Sequence, residues 1–565
     1  MADFDETFDF VVAGSGGGSM CAALMMRSLG RSVLILEKTE YVGGTTARSG
    51  GVMWIPNNPF MKRDGVADSF EEADRYLDAV VGDDDAMPGA SRARRRAYLR
   101  QAPRMVEFLV QQGLDMDRVP YWPDYYDDRP GGSEAGRTVI AKPFDTNRLG
   151  AWREKLQPGF LPMPVLLDDA LKIRTLKQSW KGRAMILKIG LRTIVARLRG
   201  QRWVSAGAAL QGRMLEASLK AGVDIRTQAP VKELIVEDGR VTGVVIEKDG
   251  RPWRVGARSG VLVNAGGFAH NQRMRDTYQP GTQARWTVVT KGDTGEMIEE
   301  MMRHGAAVAQ MGEMVGYQTM TPPGSEDAPI TPSMQSVTAA PHVILVDQGG
   351  SRYMNEGGSY MAYCKAMLER NRTVPAVHSW AVFDSQYLAK YGLANGIVAG
   401  WKVKVWIAAG FMKTGATVAA LADKIGADPA TLTATVDRFN GFVAAGRDAD
   451  FHRGERAYDR WLGDPYNPSS ATLGSIEKGP FYALPVVPGD VGTYGGVVTD
   501  TDARVLREDG SPIEGLYATG ISTASVMGGA YPGAGSSVGP SFTWGFVAAK
   551  HAAGADNVAA GSIAA

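Results

Sequence analysis

FDFVVAGSGGGSMCAALMMRSLGRSVLILE, residues 8–37, is the stretch from which the fold of this chain can be read. Residues 8–13 are an apolar run of strand length, and GSGGGS follows without a gap. Residues 20–29 are small and apolar, as in a helix packed on a sheet, and residues 31–36 make a second buried strand that ends at Glu37. Strand, glycine turn, helix and strand within about 30 residues form a βαβ crossover. Gly14 and Gly16 have the spacing of a dinucleotide-binding turn, with Ser19 where a third glycine usually stands. Such a turn lets bare backbone approach a pyrophosphate, and the free N–H groups of the helix start stabilise its charge. Glu37 is placed to accept a hydrogen bond from a ribose hydroxyl. The glycines alone are a weak signal; the flanking elements and the acid make it strong. FAD and a nicotinamide cofactor remain equally compatible with it.

Working outward, 565 residues exceed one small core, so two or more domains are expected. The 62 basic and 61 acidic residues nearly cancel, which argues against nucleic acid as a partner. The 69 glycines cluster at turns, which suggests backbone approached by a large ligand. Cys21 and Cys364 supply neither a disulfide framework nor a metal-ligand cluster, so a reducing compartment and no metal are expected. The first ten residues are acidic, unlike a signal peptide, and no uncharged apolar run of about 18 residues occurs. The expected location is cytoplasmic, at most peripheral on the inner face of the cell membrane.

Along the chain, residues 60–115 read as charged helices and 121–143 as an aromatic, turn-rich loop. A helix over 210–221 and strands near Val223, Val231, 241–247 and 261–265 restore the α/β pattern. Residues 310–485 are richer in aromatics and loops, and glycine punctuation returns from 489 to 550. The fold class expected is α/β: a Rossmann-like nucleotide-binding domain built from both chain ends (1–309 and 487–565), with an inserted α+β catalytic domain (310–486).

Three further segments favour FAD. Tyr41-Val42-Gly43-Gly44-Thr45-Thr46 follows Glu37 as in flavoproteins of the fumarate reductase type. Val263-Asn264-Ala265-Gly266-Gly267 resembles their second flavin-domain segment, and Glu514-Gly515-Leu516-Tyr517-Ala518-Thr519-Gly520 the final one. A more specific likeness lies in Val526-Met527-Gly528-Gly529-Ala530-Tyr531-Pro532-Gly533-Ala534-Gly535, with Gly539-Pro540. Together with Pro123-Asp124-Tyr125-Tyr126, Arg352-Tyr353-Met354-Asn355-Glu356, Phe383-Asp384-Ser385 and Phe451-His452-Arg453-Gly454-Glu455, it resembles the 3-ketosteroid Δ1-dehydrogenases over nearly the whole chain. The family usually has proline where Ala534 stands, and this chain carries a basic insertion at about 152–203.

The resemblance implies FAD as cofactor, held by Gly14, Ser15, Gly16, Gly17, Gly18, Glu37, Lys38, Gly43, Gly44, Thr45, Thr46, Ser49, Gly50, Val231, Ala265, Gly266, Gly520 and Val538. It implies a 3-ketosteroid substrate, an electron acceptor it does not name, and catalysis by Tyr125, Tyr360, Tyr531 and Gly535. In that scheme the flavin N5 takes a hydride from C1 and Tyr360 takes the proton from C2. Tyr531 O–H and the Gly535 N–H stabilise the enolate oxygen, which needs donors fixed before the charge develops. A hydrogen bond from Tyr125 is expected to lower the pKa of Tyr360 from its ordinary value of about 10. A shift of one residue would exchange Tyr125 with Tyr126. A lone tyrosine is more often a core or interface residue; His452 is better read as structural and Cys21 as packing. The rivals are a Δ4-ketosteroid dehydrogenase or fumarate reductase-like enzyme, and a flavin-binding module without its own substrate.

Residues 171–202 hold ten lysines and arginines and no acid, interleaved with leucine, isoleucine, valine, methionine and Trp180. That mixture fits either a helix at an anionic lipid surface or a solvated basic helix packed on its own domain. A lipid-side position would supply a steroid with a long side chain. The segment around Trp401, Val403, Val405, Trp406 and Phe411 offers a second apolar contact.

Overall fold

The computed structural model of the chain describes residues 3–167, 180–325, 334–396 and 398–555. Glu6–Ala13 forms the strand expected at the start, its last four residues fully buried. It pairs in parallel with Val33–Leu36 on one side and Arg251–Val263 on the other. Asp224–Arg226 joins beyond the former and Pro512–Ala518 beyond the latter, also in parallel. An early and a late strand of the chain therefore share one sheet, with Arg251–Val263 between them. Arg504–Leu506 closes one edge antiparallel, and the hairpin Val231–Glu237/Arg240–Lys248 extends from Arg251–Val263. Near-continuous Val, Leu and Ile in the central strands is what a sheet covered on both faces requires.

The helix Gly17–Ser28 buries its first ten residues against the sheet and against the helix Val538–Ala552, which brings the end of the chain over the first glycine turn. Helices Phe70–Val81 and Arg92–Gln111 occupy the region expected to be helical, and Ala206–Lys220 begins four residues before the helix expected there. One expectation is corrected. The stretch 121–143 is not all loop: Thr138–Ala141 is a buried strand between Val52–Trp54 and Met116–Arg118. Its TVIA sequence is β-branched and apolar, and that local preference prevails over the turn residues preceding it.

A second, antiparallel sheet takes its strands from Met314–Thr319, Val343–Val346, Ser379–Asp384, Lys413–Gly415 and Phe481–Thr493. Phe481–Thr493 pairs with Ser379–Asp384 near its start and with Met314–Thr319 near its end. The helix Tyr360–Arg370 lies close to Met314–Thr319, so its first residue faces the rest of the molecule. Trp180–Leu198 is a helix with no acidic residue; Trp180 and Leu198 are each 82% exposed, and Leu187, Leu191 and Ile194 are also exposed. Residues 168–179 of the basic segment lie outside the described residues.

Candidate active site

Tyr125, Tyr360 and Tyr531 are 235 and 171 residues apart along the chain, yet their rings meet. Ring centroids are 5.3 Å apart for Tyr125 and Tyr360, 5.1 Å for Tyr360 and Tyr531, and 5.9 Å for Tyr125 and Tyr531. Tyr125 and Tyr531 are buried. The Tyr360 hydroxyl acts on both neighbours, opposing the rise of their pKa values. Gly535 follows Tyr531 by four residues in the same turn, and its amide helps hold the Tyr531 pKa down. Tyr125 is the one whose ring meets Tyr360, while the ring of Tyr126 lies under Arg456.

Each arm of the cluster is fixed from outside. Asp124, buried, accepts from Trp54 Nε1 at 2.7 Å, Arg137 Nη1 at 2.8 Å and the Ser133 amide at 3.1 Å. The Tyr125 amide donates to the Pro532 carbonyl at 2.8 Å, and Tyr76 O–H donates to the same oxygen at 2.7 Å. The loop bearing Tyr125 is thus tied to the residue after Tyr531. Gly535 has φ +94°, and a Cβ there would lie 2.3 Å from the Val52 carbonyl oxygen; no larger residue fits this turn. Before the Tyr360 helix, Glu356 accepts from Arg352 at 2.8 Å on each oxygen, with Arg453 at 3.4 Å. Two of the motifs quoted above, RYMNE and FHRGE, are therefore partners in one buried ion cluster. Asp384 of the third caps the helix Ser385–Tyr391.

Burial pushes the Tyr360 phenol well above its ordinary range, and the neighbouring Tyr125 and Tyr531 add to the shift. The expected lowering by Tyr125 is therefore not found: Tyr125 adds to the rise of Tyr360, while Tyr360 opposes the rise of Tyr125. Burial raises Tyr531 as well, opposed by hydrogen bonds from Ser537, Tyr360 and the Gly535 amide. Sequence reasoning missed Tyr458, whose ring centroid lies 4.2 Å from that of Tyr125, and Tyr494, 6.0 Å from Tyr531. It also missed Ser537, whose Oγ is 2.9 Å from the Tyr531 hydroxyl. No local pattern marks these residues, because their neighbours are distant in sequence.

The glycine turn lies at the carboxyl ends of the parallel strands, where an α/β sheet binds its ligand. Gly14 has φ +94°, and a Cβ would lie 2.3 Å from the Asn264 carbonyl oxygen. Glu37 accepts from the Ser15 amide and hydroxyl and from Thr39, and the Gly43 amide donates to Ser15 Oγ at 3.0 Å. Asn264 donates to Ser19, and Ser522 Oγ bridges the Ala265 amide and the Gly266 carbonyl. Gly520 packs on the Asn264 side chain, Val538 starts the last helix, and Gly16, Gly17 and Gly18 open the first. Gly44 and Thr46 lie in the short helix Gly44–Arg48, Ser49 caps its end with Gly50 just beyond, and Thr45 Oγ1 sits 3.1 Å from Thr290 Oγ1. Lys38 is engaged by Thr294 and Glu296, each at 2.7 Å. Val231 begins its strand two residues after Ala229, whose amide donates to the Glu37 carbonyl.

Two buried polar groups show that this cradle fits a large polar ligand. Neither amide atom of Gln211, packed against Gly43, finds a partner within the protein. The carboxyl group of Asp293, against Gly266, has no side-chain partner, and burial, with Asp490 nearby, pushes its pKa up to about 7. Orphaned groups of this kind are costly unless a ligand satisfies them.

The parallel sheet and its glycine cradle define a flavoprotein of the FAD-binding class, and the chain matches the FAD-binding domain family over residues 9–538. It is 38% identical to the 3-oxosteroid 1-dehydrogenase of Mycolicibacterium smegmatis, across 96% of this chain and 97% of that protein. It is 34% identical to the 4-oxocyclohex-2-ene-1-carboxylate 5-dehydrogenase of Sinomonas cyclohexanicum, across 96% and 93%. Its structure is similar to the crystal structure of 3-ketosteroid Δ1-dehydrogenase from Sterolibacterium denitrificans in complex with 1,4-androstadiene-3,17-dione, with a TM-score of 0.90 and 35% identity, covering 97% of this chain and all of that one. The chain belongs to the 3-ketosteroid Δ1-dehydrogenase family, within the fumarate reductase-like FAD-binding flavoproteins.

Proposed function

We propose that this chain desaturates the C1–C2 bond of 3-ketosteroids, converting a 3-keto-4-ene to the 1,4-diene. The observation that carries the reading is the meeting of the buried Tyr531 ring with the half-buried Tyr360 ring, centroids 5.1 Å apart, next to the tight Gly535 turn. Tyr531 O–H and the Gly535 N–H hold the ketone oxygen as it gains enolate charge, which makes the C2 hydrogen acidic. Tyr360, once it has given up its own proton to become a phenolate, takes that hydrogen as a proton, with the Tyr125 ring 5.3 Å away. Bound FAD supplies the acceptor for the hydride that leaves C1. The chain's part is to bind, orient and move one proton, and turnover needs an external electron acceptor. Burial of the cluster favours an apolar polycycle as substrate.

Mixing the purified protein with androst-4-ene-3,17-dione and a dye acceptor tests this: the 1,4-diene is expected. The Sinomonas relative supports a second reading, a monocyclic keto acid, which performs the same chemistry beside a ketone. Offering 4-oxocyclohex-2-ene-1-carboxylate in parallel separates the two. The exposed apolar residues of Trp180–Leu198, among its lysines and arginines, support a contact with an anionic lipid surface, where a long-chain steroid would partition. No helix among the described residues is long and apolar enough to cross a membrane.

A further inference from the structure

Ser537 immediately precedes the helix Val538–Ala552 with helical backbone angles, and its side chain makes no capping bond. The Gly539 and Ser541 amides donate instead to the carbonyls of Gly535 and Ser537, at 2.9 and 3.2 Å. The Ser537 hydroxyl is left to lie 2.9 Å from that of Tyr531, and Ser537 lines a small cavity with Tyr494, Ser536 and Pro540.

We propose that Ser537 is a positioning residue for C2 deprotonation, donating its proton to the Tyr531 oxygen and thereby directing the Tyr531 proton onto the substrate ketone. This rests on the functional reading above. A phenol has one proton to give. Once Tyr531 donates it to a ketone, its bond to Ser537 persists only with the serine as donor. That donation polarises the phenol and makes it a stronger donor as enolate charge grows. Ser537 touches neither reacting carbon; it acts through Tyr531.

The test is stopped-flow reduction of the flavin by androst-4-ene-3,17-dione, unlabelled or deuterated at C1 or at C2, in wild type, Ser537→Ala and Ser537→Thr. Loss of one neutral hydrogen bond should slow reduction at saturating steroid by about 3- to 10-fold in the alanine variant. The half-saturating steroid concentration should stay within about twofold, and the C2 isotope effect should grow while the C1 effect does not. Threonine, which keeps the hydroxyl, should restore the wild-type rate. Equal rates in wild type and the alanine variant would overturn the proposal. So would a loss expressed only in steroid affinity, or one that enlarges both isotope effects alike, since a loosened fold would do that. A wild-type protein whose flavin the steroid does not reduce removes the functional reading itself, a result that differs visibly from the others.

Discussion

Tyr531 and Tyr360 differ in what their neighbours offer, and the difference sets what each substitution should do. Tyr531→Phe removes a donor aimed at developing charge and should lower turnover by about 10²–10³, with product formation followed by absorbance of the dienone. An undiminished rate would assign the ketone to other donors. Tyr360 must lose its own proton before it can accept another, and burial holds its pKa above the usual value of about 10. The active fraction therefore increases as pH rises toward that value. Flavin reduction at low steroid should climb about tenfold per unit from pH 7 to 9 without levelling. A plateau below pH 8 would mean that bound steroid or cofactor lowers the phenol's acidity threshold. Tyr531, Tyr360, Tyr125 and Gly535 could be named from the sequence only through the family resemblance, since a lone tyrosine carries no local mark of its role. Ser537, Tyr458, Gln211 and Asp293 were not, since their meaning lies in residues brought near only by tertiary folding.

Among the elements, the first crossover could be read because its period, glycines and closing acid all fall within one short window. The second sheet could not: Phe481–Thr493 completes it from far along the chain, and no local pattern announces antiparallel partners so distant. The motifs RYMNE and FHRGE were visible without a physical reason until Glu356 was found between Arg352 and Arg453. Burial pushes the Glu356 carboxyl up, but Arg352 and Arg453 outweigh it and hold its pKa below the ordinary range. A depressed carboxylate stabilises the fold at neutral pH, and that contribution is lost as pH falls below about 4. Glu356→Gln leaves two buried guanidinium groups short of charge. It should cost about 3–5 kcal/mol of stability at pH 7, with the gap to wild type narrowing on acidification, as thermal melts across pH would record. A gap that stays constant would show that the charge of Glu356 is not the stabilising feature.

At the scale of the molecule, one face carries the helix Trp180–Leu198 with its apolar side chains in solvent. Replacing Leu187, Leu191 and Ile194 together by aspartate should abolish co-sedimentation with vesicles of anionic phospholipid while leaving turnover of a water-soluble steroid within about twofold. Binding that survives the triple change would make this an ordinary solvated helix. The basic, apolar composition was plain in the sequence, but composition alone cannot tell an outward-facing leucine from a packed one.

The sheet that holds Glu6–Ala13 also needs Pro512–Ala518, and the first glycine helix leans on Val538–Ala552. During synthesis the ribosome therefore releases the opening crossover long before its closing partners emerge. Until those partners emerge, the nascent chain has half a nucleotide pocket and exposed valines at a raw sheet edge. Cofactor capture is consequently a late event. Prematurely terminated products of this gene should be colourless and quick to aggregate, and chaperones rather than flavin should be their first companions.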